Sequence, residues 1–295
     1  MKQSKNLFNG TQKMKKTKLY LNHAGFCLAK EHHSIRGGRK QDIKFHALWG
    51  LIEHPEHGHI LFDTGYTQRF HEETKRFPNK IYGMITKVEI HPNEEVAKQL
   101  MTNGINPDSI KHIIISHFHA DHVAGMKDFK HATFYTSKTA YEYTRNLSNT
   151  FAFSKGVLKN LIPTDISQRM KYIEEHCSFT VDPILGKQYD LFGDHSMLVY
   201  ELPGHAAGQI GVQVQTEKNR YFLIADACWL RQSFIEYVLP SSLVRLFFHS
   251  WKDYKHSLKK IHQYHVAHPN VVIVPTHCSE TTSKFIQEKI DLDVL

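Results

Sequence analysis

Cysteine is scarce in this chain. Cys27, Cys177, Cys228 and Cys278 are too scattered for a bridged framework or a C-x-x-C zinc knuckle, and they read as reduced thiols of a cytoplasmic protein. No apolar run approaches the roughly 18 residues of a membrane span, so no membrane partner is expected. No stretch rich in Pro, Gly or Ser divides the text, which predicts one domain over residues 18–295. The amino terminus has Lys2, Lys5, Lys13, Lys15, Lys16 and Lys18, but it lacks the apolar run that a secretory signal needs. Residues 1–17 therefore read as a flexible basic extension, and Met14 opens a plausible second start. Beyond that segment no long basic block occurs. The net charge of +8 reads as a solvated basic surface, and no nucleic-acid partner is expected.

What the chain does have is histidine, 23 of them, the residue that most often binds metals and exchanges protons near neutral pH. Hydrophobic residues make up 41% and charged residues 22%, as in an ordinary globular protein. Apolar runs LYLNHAG, FHALWGLIE and HILFDTG predict strands, the last two joined as a hairpin by HPEHGH. His54, His57 and His59 straddle that turn with no carboxylate at ligand spacing, so they read as solvent-facing rather than metal-binding. A helix is expected over residues 93–103, a buried strand at IKHIIIS, then strand ATFYTS and helix KTAYEYTRNL. Residues 146–194 predict helical segments around VLKNLI and ISQRMKYIEEH and a strand pair near SFTV and YDLF. SMLVYEL, IGVQVQT and RYFLIAD read as strands, WKDYKHSLKKIHQYH as a helix, VVIVPTH as a strand and TTSKFIQEKI as a closing helix. This alternation predicts a single α/β domain.

The densest signal is S-H-F-H-A-D-H at 116–122, directly after the strand IIIS. In an extended loop His117 and His119 project to one side, while Asp121 and His122 can face a neighbouring position. One loop could then feed two adjacent ions, yet each ion needs about four ligands. VYELPGH, YFLIAD and VVIVPTH supply His205, Asp226 and His277, each just past an apolar strand, where active-site loops collect in α/β sheets. Cys228 and Cys278 lie beside two of these candidates and read as small packing residues.

These residues resemble the metallo-β-lactamase superfamily, whose H-x-H-x-D-H is matched by His117, His119, Asp121 and His122. The likeness extends through FDTG at 62–65, PGHAAGQ at 203–209, LIAD at 223–226 and PTH at 275–277. It implies an αββα sandwich, two mixed sheets with helices outside. It also implies that His117, His119 and His205 hold one divalent ion, Asp121, His122 and His277 a second, with Asp226 bridging and Asp63 structural. The ions are expected to be zinc, with iron or manganese as alternatives. Two such ions lower the pKa of a shared water toward neutrality and so generate the nucleophile, with Asp121 as a catalytic group that positions it or moves a proton. Family members with di-iron redox centres typically carry Glu where His119 stands, so hydrolysis is expected rather than electron transfer.

Segment order is most similar to the N-acyl homoserine lactone lactonases: LNHAGFC, TAYEYTRN and ADACW. This implies a small-molecule ester or lactone as substrate. Thioester hydrolysis as in glyoxalase II relatives, phosphodiester cleavage as in ribonuclease Z relatives, and an inactive metal-binding sensor or interaction protein stand as alternatives. Those lactonases commonly carry Tyr where Trp229 stands here, which makes Trp229 the candidate pocket residue. Gln209 stands where His or Ser often follows the Pro-Gly-His turn. The apolar segment at 229–251 reads as a helix packed into the sandwich or onto the partner of a homodimer, with a substrate wall as the functional alternative; Arg245 and His249 argue against its insertion into a membrane.

Overall fold

The computed structural model describes residues 16–285. The expected extension over 1–17 falls almost wholly outside them. Of its last two residues, Thr17 is buried and donates its amide to the Gln215 carbonyl at 2.9 Å.

Two sheets face each other. The first runs β4-β1-β2-β3-β5-β6-β7, formed by Lys18–Lys30 (β1), Asp42–His54 (β2), Gly58–Phe62 (β3), Val88–Glu89 (β4), His112–Ile114 (β5), Thr133–Thr136 (β6) and Met170–Tyr172 (β7). The second runs β13-β12-β11-β10-β9-β8, formed by Ser178–Asp182 (β8), Gly186–Asp190 (β9), Met197–Glu201 (β10), Ile210–Gln215 (β11), Arg220–Ala225 (β12) and Val271–Pro275 (β13). Both are mixed: β3, β5, β6 and β7 are parallel neighbours, as are β12 and β13, and the other pairs are antiparallel.

Alternation along the strands sorts side chains into three apolar layers. Leu48, Ile60, Phe62 and Ile114 point between the sheets and meet Val199, Val212 and Leu223. Their neighbours Trp49, Leu61, Ile113 and Ile115 point outward and pack with Leu100 and Phe129. Phe222, Ile224 and Ile273 face the other way, against Leu258 and Ile261 of the helix Trp251–Ala267. Layers of helix, sheet, sheet and helix result, as expected.

Two segments depart from expectation. The helix predicted from residue 93 begins at Val96, because Pro92–Glu94 forms a 3-10 turn and Glu95 stays extended. Within 166–176 the chain folds as Ile166–Arg169 helix, β7 and Ile173–His176 helix, since Met170–Tyr172 adds a parallel edge strand to β6. Sheet pairing overrides local helix propensity there.

Candidate metal centre

The two sheets present their strand ends to one spot. β5 leads into His117, β12 into Asp226, β13 into His277, and a turn after β10 carries His205. The sheets are tied there by the Ile210 amide, which donates to the Ser116 carbonyl at 3.0 Å. Two strained positions flank the candidate ligands: Ala225 holds φ +48 at the bulge before Asp226, and Asp63 holds φ +58 after β3. Glycine is required twice. A Cβ on Gly204 would lie 2.0 Å from the Tyr254 amide nitrogen, and one on Gly156 would lie 2.7 Å from the His119 ring.

All seven predicted ligands converge. The ligand atoms of His117, His119 and His205 lie within 4.8 Å of one another, as do those of Asp121, His122, Asp226 and His277. Asp226 lies in the second group and reaches the first: its Oδ2 is 2.8 Å from His277 Nε2 and 3.2 Å from His205 Nε2, and its Oδ1 is 3.4 Å from His122 Nε2.

Hydrogen bonds behind the rings decide which nitrogen faces inward. His122 Nδ1 donates to Asp63 Oδ2 at 2.7 Å and His277 Nδ1 to the His46 carbonyl at 2.9 Å. Ser116 Oγ donates to Asp63 Oδ2 at 2.8 Å and so accepts from His117 Nδ1 at 3.1 Å. Each neutral ring therefore turns an unprotonated Nε2 toward the centre. His117 Nε2, His122 Nε2 and Asp226 Oδ1 are buried there without a hydrogen-bond partner. Buried polar atoms are rarely left so, and lone pairs and carboxylates gathered around one space fit divalent cations.

The charge balance agrees. Burial holds His117, His119 and His205 below the usual imidazole range, His119 at about 4 and His205 at about 3, so these three stay neutral ligands. Burial also opposes charge on His122 and His277, but nearby carboxylates outweigh it: Asp121, Asp63 and Asp226 raise His122, and Asp226 and Asp121 raise His277. Without cations the carboxylate-rich half is balanced by protons, which bound cations would displace.

The centre forms the floor of a cavity of about 400 Å³. His119, Asp121, His205, Asp226 and His277 open into it, and Phe45, Tyr66, Tyr82, Ile85, Phe153, Trp229 and Phe247 form its walls. Trp229 is on that wall, and its indole N–H donates to Asp226 Oδ2 at 3.2 Å. The 229–251 segment is not one helix but Arg231–Ile235 and a 3-10 stretch Ser242–Phe247, joined by a turn at 236–237 and an irregular link. Gln209 is buried and braces its turn through the Leu202 carbonyl at 3.2 Å. Sequence reasoning missed Phe45, which stacks on His277 with ring centroids 4.7 Å apart, and Tyr66 and Tyr82. Only Tyr66 had a signal, its place directly after FDTG.

The hairpin histidines require a correction. His54 is not solvent-facing but buried, and Asp194, 140 residues onward, lies 3.0 Å from its Nε2. Ser196 Oγ lies at the same distance. The Glu56 and His57 amides both donate to His54 Nδ1 at 3.1 Å, which forces the proton onto Nε2. Although His54, His57 and Asp194 have ligand atoms within 4.8 Å, His54 has no lone pair left for a cation.

Comparison with known proteins places this geometry. The Metallo-beta-lactamase superfamily model matches residues 44–277. The N-acyl homoserine lactonase AttM of Agrobacterium fabrum is 24% identical over 261 residues, spanning 87% of this chain and 91% of that protein. AttM of Azorhizobium caulinodans is 25% identical over 231 residues, 77% of this chain and 82% of its own length. Among solved structures, an N-acyl homoserine lactone hydrolase with N-hexanoyl-L-homoserine bound at its catalytic metal center superposes with a TM-score of 0.71, at 19% identity over 92% of this chain and 96% of that one. AidC, a dizinc quorum-quenching lactonase, gives a TM-score of 0.59 at 16% identity, covering 90% and 89%. At these identities the structural matches establish the fold alone.

Proposed function

This chain belongs to the metallo-beta-lactamase superfamily, and from that premise we propose that it is a dinuclear metal-dependent hydrolase that opens the ester of lactones bearing an apolar acyl chain. The observation that carries this reading is the set of buried, unpartnered ligand atoms on the floor of a largely apolar cavity. The names of its relatives, which are lactonases, support the ester class.

His117, His119 and His205 would hold one ion, Asp121, His122 and His277 the other, with Asp226 shared; the N/O donor set suits zinc and also iron or manganese. Such ions supply Lewis acidity and bring the pKa of a water near 7. The chain's own groups do the rest. Asp63 and Ser116 fix the rings of His122 and His117. Trp229 holds the Asp226 carboxylate by its indole N–H, a positioning role in place of a free donor to the carbonyl oxygen. Asp121 opens into the cavity and its carboxyl is lowered: burial opposes this, but His122 and His277 outweigh it. It is ready to accept a proton from the attacking water and return it to the alkoxide that leaves when the ring C–O bond breaks. Burial raises the Tyr66 and Tyr82 phenols, so both keep their O–H and can donate to substrate oxygens. Phe45, Ile85, Phe153 and Phe247 can cover an acyl chain, at about 0.8 kcal/mol per buried CH₂.

Parallel assays on acyl lactones, thioesters and phosphodiesters test the assignment. Lactone turnover should dominate, with kcat/KM rising with acyl length. Dominant thioester or phosphodiester cleavage would replace the substrate class, and inactivity on all three with metal bound would favour a binding protein.

A further inference from the structure

Large apolar side chains exposed on this protein are not scattered. Among the described residues nine of thirteen fall on three segments, 74–88, 143–164 and 237–252. Phe77, Met84 and Ile85 stand on the first, Phe151 on the second, Leu243, Leu246 and Phe247 on the third. The three meet at the mouth of the cavity. Ile85, Phe153 and Phe247 line it together, and Ile85, Lys87 and Val244 line the hollow beside it. Tyr143 and His249 close the remaining junction, with ring centroids 4.7 Å apart.

The same segments hold no Asp or Glu. Four Lys or Arg lie in the first (Lys75, Arg76, Lys80, Lys87), three in the second (Arg145, Lys155, Lys159) and two in the third (Arg245, Lys252). In the adjoining 30–42 loop the acids are matched, Asp42 by Lys30 at 2.8 Å and Glu31 by Arg39 at 3.4 Å. The mouth is therefore an apolar rim on segments that carry nine cations and no acid, with Glu73 beside them accepting from Asn160 Nδ2 at 2.9 Å.

A contiguous apolar patch of this kind marks an interaction surface. Substrate inside the cavity does not cover it, because Phe77, Met84, Leu243 and Leu246 are not among the cavity walls. A second copy docked by the same face would set one cationic collar against another, since a two-fold interface pairs a patch with itself. We infer that this rim docks on an anionic phospholipid surface, with the cations on the headgroups and the apolar tips in the acyl boundary. Docked so, the cavity opens directly onto the phase in which long-chain acyl compounds accumulate. Such a surface carries no long apolar run in the sequence, because it forms only when three distant segments converge. Among the described residues no helix is long and apolar enough to cross a membrane, so the contact is peripheral.

Co-sedimentation of the intact, metal-loaded protein with vesicles tests this without reference to turnover, so the docking and the substrate reading can fail separately. Vesicles of phosphatidylglycerol mixed with phosphatidylcholine should retain the protein, phosphatidylcholine alone should not, and added salt should release it. Leu246→Asp with Met84→Asp, at positions 82% and 66% exposed, should lower retention at least about fivefold with fold and metal content unchanged. Lys80→Glu with Arg245→Glu should do the same. Equal retention on both vesicles, or on neither, overturns the proposal. A dimer in solution that Leu246→Asp dissociates overturns it in favour of a second copy.

Discussion

The hairpin cluster of His54, His57 and Asp194 and the centre at the strand ends use the same residue types, with ligand atoms equally close. What separates them is the second nitrogen of each ring. At the strand ends, Nδ1 of His117, His122 and His277 faces an acceptor, so each ring, when neutral, turns an Nε2 lone pair inward. At the hairpin, Nδ1 of His54 faces two backbone donors, so Nε2 carries the proton and donates a hydrogen bond to Asp194. One cluster is left incomplete without a cation, and the other is complete as a clamp between the β2–β3 turn and residues 194–196. Proximity of histidine and aspartate is thus a weak guide to metal binding, and the partner behind the ring is a strong one.

The comparison breaks most visibly at Asp226, the carboxylate shared by both halves. Asp226→Ala should abolish measurable turnover and reduce bound metal from about two equivalents per chain to one or none. Elemental analysis beside the lactone assay reads both, and a variant that keeps full metal and rate would refute the bridging role. Asp63→Asn sharpens the point, because it touches no cation and changes what stands behind His122 and, through Ser116, behind His117. Metal affinity or activity should fall about 10–100-fold. An unchanged competition titration with a chelator would show that ring orientation matters less than argued. His54→Ala should leave metal content and turnover alone, yet lower unfolding free energy by roughly 1–3 kcal/mol in urea, since it strips a donor from the buried Asp194. Loss of metal in that variant would collapse the distinction between the clusters.

Much of the candidate centre was legible because the residues that converge there either adjoin in S-H-F-H-A-D-H or follow an apolar strand, and both signals are local. A single α/β domain followed from the alternation of such strands with helices, and the sandwich from the resemblance to the superfamily. The hairpin clamp was hidden, since Asp194 lies 140 residues from His54 and nothing in the text links them. Phe45, Tyr82 and Ile85 were hidden for another reason: an apolar residue on a strand or short helix reads as core, and only the folded chain shows which ones face a cavity. The edge strand β7 was likewise invisible, because its pairing with β6 is set by the sheet rather than by Met170–Tyr172 themselves.

Metal content of the unmodified chain as a function of pH bears most directly on the central claim, that seven side chains hold two ions in unequal halves. His122 and His277 have raised proton affinity in the metal-free fold, so protons compete with the cation there as pH falls; His117, His119 and His205 have lowered affinity and stay neutral to more acid pH. Elemental analysis after dialysis should find about two equivalents per chain at neutral pH, lost stepwise on acidification, the carboxylate-rich half first. A folded chain that holds no divalent metal at neutral pH and takes up none when it is offered would contradict the account.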